Sequence, residues 1–171
     1  MVKKSSDHID TILAQWRLER PDLNVAAIGQ LGRLFRVVEL ADQELTRRLA
    51  AHELQPGWFD ILAALRRSGS PYELTPTQLM SSTIVTSGGL TKRLDRMAEA
   101  GLLSRRPDPT DRRGTRIRLT RKGKNAIDRA LPDHIANEES VLSPLSSTDR
   151  RHLDALLRQL LSGLESIEDR D

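Results

Sequence analysis

Twelve lysine and arginine side chains crowd the segment from Thr86 to Lys124, against four acidic ones. The cations are Lys92, Arg93, Arg96, Arg105, Arg106, Arg112, Arg113, Arg116, Arg118, Arg121, Lys122 and Lys124; the acids are Asp95, Glu99, Asp108 and Asp111. That is a local excess of +8 in a chain whose formal total is +3. Guanidinium and ammonium groups at this density donate charge-assisted hydrogen bonds to phosphate oxygens, and arginine can also pair with base edges. The flanks do not share this character: residues 1–85 carry ten charges of each sign, and residues 125–171 carry five basic and ten acidic. A polyanion is therefore met by the middle of the chain, not by its ends.

Two elements would present those groups. From Thr86 to Ala100, Leu90, Leu94, Met97 and Ala98 mark the buried side of a helix. Thr86 or Ser87 caps it, and Gly88-Gly89 removes bulk in a first turn that approaches phosphates. Thr91, Lys92 and Arg96 fall on the open face, and Arg93 is a candidate phosphate contact. Leu102 to Arg106 and Thr115 to Leu119 then read as a two-stranded wing around the loop Asp108-Pro109-Thr110-Asp111-Arg112-Arg113-Gly114. Ile117 and Leu119 point inward, and Arg116 and Arg118 outward. Asp111 can hold one arginine, most simply Arg113, so that the tip offers guanidinium to a minor groove. A solvated charged face would account for the helix alone. It accounts poorly for Arg105, Arg106, Arg112, Arg113, Arg116 and Arg118 on one small hairpin, so double-stranded DNA is the expected partner.

The rest of the chain must hold these elements in place. His8 to Trp16 has apolar residues at helical spacing, ended by Arg20-Pro21-Asp22. A longer helix follows over about Val25 to His52, then a third from Trp58 to the break Ser68-Gly69-Ser70-Pro71. Thr75-Pro76 opens a short helix, since threonine caps and proline suits the first helical position. Thr120 opens another that runs to about Val141 across Pro132, where a kink is expected. Ser146 and Asp149 suggest a capping box before a last helix striped with Leu153, Leu156, Leu157, Leu160, Leu161, Leu164 and Ile167. The first long helix and the final leucine-rich helix both ask for a partner surface. Groove readers work as two-fold dimers, which favours a second copy of the chain, but periodicity alone leaves an intramolecular bundle open.

Other classes of function are poorly supported. The 171 residues contain no cysteine, and the four histidines are scattered without ligand spacing, so a metal site is not expected. No phosphate loop, nucleophile elbow or paired catalytic carboxylate is recognisable, so neither an enzyme nor a cofactor is expected. There is no apolar run near the ~20 residues that span a bilayer, and Met1 to Asp10 is too polar for a signal peptide, which suggests the cytoplasm.

These residues resemble the MarR family of winged-helix regulators. The resemblance rests on the order helix, helix and wing, on Leu94-Asp95-Arg96-Met97-Ala98-Glu99-Ala100-Gly101-Leu102-Leu103, and on Leu119-Thr120 followed by Gly123. It covers nearly the whole chain. It implies a mainly α fold with a small two-stranded wing, a homodimer built from the terminal helices, and binding to a palindromic operator, usually as a repressor. Residues 1–55 would supply ligand and dimer surfaces, 56–119 the DNA-binding region and 120–171 further dimer helices, in one continuous domain. Trp16-Arg17-Leu18-Glu19-Arg20-Pro21-Asp22-Leu23, Phe59-Asp60 and Arg66-Arg67-Ser68-Gly69, with Pro71-Tyr72, are similar to the urate-responsive, PecS-like branch. That similarity implies a ligand set of Trp16, Asp60, Arg67 and Arg93 for a small anionic aromatic effector, urate or a phenolic carboxylate. The alternative is a ligand-independent architectural DNA-binding protein.

Overall fold

The computed structural model describes residues 6–83, 89–111 and 114–168. Its elements run α1 (His8–Glu19), α2 (Ala26–Leu49), a 3-10 turn (Ala50–His52), α3 (Trp58–Arg67), β1 (Glu73–Leu74), α4 (Pro76–Ser81), α5 (Leu90–Glu99), β2 (Leu103–Pro107), β3 (Thr115–Leu119), α6 (Arg121–Val141) and α7 (Ser147–Glu168). The chain divides within α2 into two compact units, up to Arg47 and from Arg48 onward.

In the first unit, α1 starts at a capping box. The Asp7 side chain accepts from the Asp10 N–H, and Asp10 accepts from the Asp7 N–H. Leu13 is buried against Gly29, where an added Cβ would lie 2.7 Å from Leu13 Cδ1. Gly32 seats Ile9 in the same way, one turn further along. Two glycines three residues apart thus cut a notch in α2 that lets α1 approach closely. Arg33 closes the contact, donating to Asp7 at 2.7 Å and to Asp10 at 2.6 Å. This pairing holds the Asp7 carboxyl below its ordinary pKa.

The second unit is built on α3, whose Ile61, Leu62 and Leu65 are fully buried together with Leu79, Met97, Ile117 and Ile127 from four other elements. α4 begins as Thr75-Pro76 suggests, with a complete capping box between Thr75 and Gln78. α5 ends in a Schellman motif: Gly101 takes φ 72, its N–H donates to the Ala98 carbonyl, and the Leu102 N–H reaches the Met97 carbonyl. Thr120 caps α6 by accepting from the Gly123 N–H at 3.0 Å. Its hydroxyl also donates to the Gly101 carbonyl at 2.7 Å. Pro132 lies inside α6. At the start of α7, the Asp149 N–H donates to Ser146 Oγ and the Ser146 hydroxyl donates to the Asp149 carboxylate. The reciprocal bond thus comes from the hydroxyl and not from the backbone.

The expected two-stranded wing is present as β2 and β3, and a third, short strand joins it. The sheet has three antiparallel strands in the order β1-β3-β2, with Glu73 opposite Arg118 and Leu74 opposite Ile117. β1 is fixed from both sides. The Leu119 N–H donates to the Tyr72 carbonyl just before it, and the Tyr72 ring lies 5.1 Å from the Arg66 guanidinium and 5.8 Å from the Lys124 ammonium. Asp128 accepts from both of those cations, at 2.7 Å and 2.6 Å.

Candidate nucleic-acid interface

α5 carries its chemistry on one side. Leu94 and Met97 are buried, whereas Thr91, Lys92 and Arg96 are exposed, as the spacing requires. The start of the helix differs from expectation. α5 begins at Leu90, with Gly89 at its N-cap and φ 81. A left-handed residue cannot continue a right-handed helix, so Gly89 stands at its boundary and not in its first turn. The expected caps Thr86 and Ser87, and Gly88 beside them, lie outside the described residues, as do Arg112 and Arg113 at the wing tip.

Arg93 is half-buried. Its guanidinium lies over Gly57, where a Cβ would come within 2.9 Å of the Arg93 Cζ. Gly57 sits at φ 76 as the N-cap of α3, so its missing side chain serves both the turn and the close approach of Arg93. Lys92, Arg93 and Arg96 together line a cavity of about 380 Å³ with Gln55, Pro56, Trp58 and Gly89. No acidic residue is in that lining. Of the expected ligand set, Arg93 alone lines this cavity. Trp16 belongs to the first unit and is 44% exposed. Asp60 is half-buried on α3, and Arg67 is exposed and donates to the Ser82 carbonyl.

The wing arginines divide into two kinds. Arg105 pairs with Asp95 of α5 at 2.6 Å, which straps β2 to the helix. Arg116 donates to Asp108 at 3.1 Å and lies 3.7 Å from Glu73 of β1. Asp108 is only 8% exposed and also accepts from the Thr110 N–H and hydroxyl. The wing loop is tied by the Asp108 N–H to the Gly114 carbonyl and by the Gly114 N–H to the Asp111 carbonyl. The expected Asp111–Arg113 pair falls partly outside the described residues, and the pair on view is Asp108–Arg116. The Asp-Pro-Thr sequence carried a signal for it, because an aspartate accepting from the N–H two residues on makes an Asx turn. By contrast, Arg106 and Arg118 have no acidic partner at ion-pair distance among the described residues.

The two Thr110 hydrogen bonds, and then Arg116, lower the Asp108 pKa from 3.8 to about 2. A carboxyl depressed on folding stabilises the fold above its unfolded value and loses that contribution as pH falls through its folded value. The wild-type unfolding midpoint should therefore drop between about pH 4 and pH 2, partly through Asp108. Asp108→Asn should flatten that part of the drop in circular-dichroism melts; an unchanged profile would assign the acid sensitivity elsewhere.

Two apolar faces stand open. On α7, Leu156, Leu157, Leu160, Leu161, Leu164 and Ile167 are all exposed, and on α2 so are Ile28, Leu31, Phe35, Val37, Val38 and Leu40. Among the described residues no helix is long and apolar enough to cross a membrane, and no group of three metal-ligating side chains occurs.

Comparison with known proteins places this geometry in a setting. The MarR family model matches residues 52–114. The HTH-type transcriptional regulator PecS of Dickeya dadantii is 42% identical over 149 residues, which is 87% of this chain and 90% of that protein. The HTH-type transcriptional repressor YetL of Bacillus subtilis is 29% identical over 80% of this chain and 81% of its own. Among solved structures, a MarR variant from E. coli complexed with operator DNA aligns with a TM-score of 0.71 at 27% identity, over 80% of this chain and 97% of that one.

Proposed function

Since the chain belongs to the MarR family of winged-helix, DNA-binding transcriptional regulators, we propose that it acts as a homodimeric repressor released from a palindromic operator by a small anionic aromatic ligand. The observation that carries this reading is the pairing of an exposed Thr91, Lys92 and Arg96 face on α5 with an arginine-rich wing on the same unit. Such a pair meets a major groove and the neighbouring minor groove at once. In this reading Thr86, Ser87, Gly88, Arg112 and Arg113 are further DNA contacts. Residues 56–119 then hold DNA, while 1–55 and 120–171 bring two copies together through the open faces of α2 and α7. Repression is favoured by the likeness to YetL, a transcriptional repressor.

The effector reading rests on Trp16, Asp60, Arg67 and Arg93, with urate as the first candidate. Arg93 sits on the groove-reading helix, so a ligand that draws its guanidinium changes the surface offered to DNA. A ligand can release the protein only through unequal affinity for the bound and released states. Gel shifts on the DNA upstream of its own coding sequence should show the complex dissolving as urate is added. Trp16→Ala and Arg67→Ala should each bind that DNA normally and resist release. Undiminished binding at saturating urate excludes urate, and full release of both variants moves the site elsewhere. The second reading, an architectural protein, predicts a steep salt dependence with little preference among sequences.

A further inference from the structure

Of the residues expected to touch DNA, one is placed where contact would cost the wing its shape. Arg116 sits on the outward face of β3, directly opposite Arg106 on β2 and two residues from Arg118. Three guanidinium groups this close on one face repel each other, and like charges directly opposite across a sheet destabilise it. The structure answers with two carboxylates that both turn to the central arginine. Asp108 enters from the wing loop at 3.1 Å and Glu73 from β1 at 3.7 Å. The side chains of all three are largely removed from solvent, at 25% exposure for Arg116, 18% for Glu73 and 5% for Asp108. Asp108 is held by Thr110 as well, and its N–H is bonded to the Gly114 carbonyl across the loop. Gly114 admits that approach, since a Cβ there would lie 2.9 Å from the Asp108 Cβ.

We propose that Arg116 is a positioning residue, clamped between Asp108 of the wing loop and Glu73 of β1 to aim the wing, and that Arg106 beside it makes the phosphate contact. The inference rests on the DNA-binding reading above. It accounts for β1: a strand of two residues adds little to a sheet by itself, but it delivers Glu73 to the arginine that governs the loop. It also accounts for the contrast between cross-strand neighbours. Arg106 is exposed and has no acidic partner among the described residues, whereas Arg116 has two. An arginine bound twice by carboxylates would have to break both pairs to reach a phosphate. An unpaired one has only to displace water and counterions.

The test is a comparison of Arg116→Ala, Asp108→Asn, the double variant and Arg106→Ala. Binding is followed by fluorescence anisotropy on a labelled duplex of the upstream DNA, well below each unfolding midpoint and across a salt series. The expected result is that Arg116→Ala and Asp108→Asn each weaken binding, and that the double variant is no weaker than either. Arg106→Ala should lower the salt slope by about 0.9 per protomer, the signature of one lost phosphate contact. The opposite sign for Asp108→Asn overturns the proposal. If Arg116 itself touches DNA, removing its carboxylate partner frees it, and binding stays intact or tightens while Arg116→Ala weakens it. A lowered unfolding midpoint with unchanged DNA affinity in both single variants also overturns it, since the clamp would then be structural only. If the wild-type protein binds no duplex at all, the DNA-binding reading fails instead, and that outcome is visible before any variant is compared.

Discussion

Gly123→Ala should destabilise the protein by about 3 kcal/mol, near the upper end for a single methyl group. A Cβ at Gly123 would sit 2.1 Å from the Leu102 carbonyl oxygen and 3.0 Å from its carbon. These are backbone atoms that cannot rotate away. The Leu102 carbonyl also accepts from the Thr120 N–H at 3.1 Å. Relief by shifting α6 would therefore disturb the cap that starts it. For a chain of this length the loss corresponds to roughly 10 °C in the unfolding midpoint. Gly101→Ala provides the contrast. A Cβ there meets only the Lys122 side chain at 3.9 Å, so the cost is that of a left-handed alanine, about 1 kcal/mol. Calorimetry on the two variants should rank Gly123 well above Gly101, and equal midpoints would show that α6 moves more freely than this packing implies.

Leu157→Glu combined with Leu161→Glu should turn the protein into a folded monomer and abolish tight DNA binding. The two leucines lie one turn apart on α7, with 41% and 57% of their surface exposed. Within one chain their replacement buries no charge, so the fold should survive. In a dimer built on this face, four carboxylates would be forced into an apolar seam, each at a cost of several kcal/mol. Losing the dimer removes the advantage of binding two half-sites at once, which is worth roughly a hundredfold or more in affinity. Sedimentation should show the change in mass, and anisotropy on the upstream duplex the loss of affinity. A variant that stays dimeric would place the interface on another surface, and one that unfolds would mean that α7 packs within its own chain.

The parts of the fold that were legible in the sequence are those with local causes. Thr75-Pro76, Thr120 and Gly101 announce helix ends through chemistry confined to a few neighbouring residues, and all three stand where that chemistry puts them. The inward Ile117 and Leu119 follow from strand alternation. β1 escaped because two residues are too few to show a period; its place is set by Tyr72 between Arg66 and Lys124, which come from two different helices. The open face of α5 could be read from Leu94 alone, since burying one side leaves the other to solvent. The half-buried state of Arg93 could not, because it depends on α3 beginning at a glycine beneath it. Charge counting likewise treats every arginine as available. Arg105 and Arg116 are paired with acids that only the fold brings near, and Lys122 instead donates to the Ala100 carbonyl at the end of α5.

Thr120 lies where three segments meet. Its hydroxyl holds the Gly101 carbonyl at the root of the reading helix, its N–H holds the Leu102 carbonyl where β2 begins, and its oxygen anchors the first turn of α6. One residue thus ties the end of α5, the start of β2 and the first turn of α6 together. A tilt of α6 at this end would have to be shared by α5 and β2, or break one of these bonds. In the dimer proposed above, the spacing of the two reading helices would then depend in part on the bonds made by this one residue.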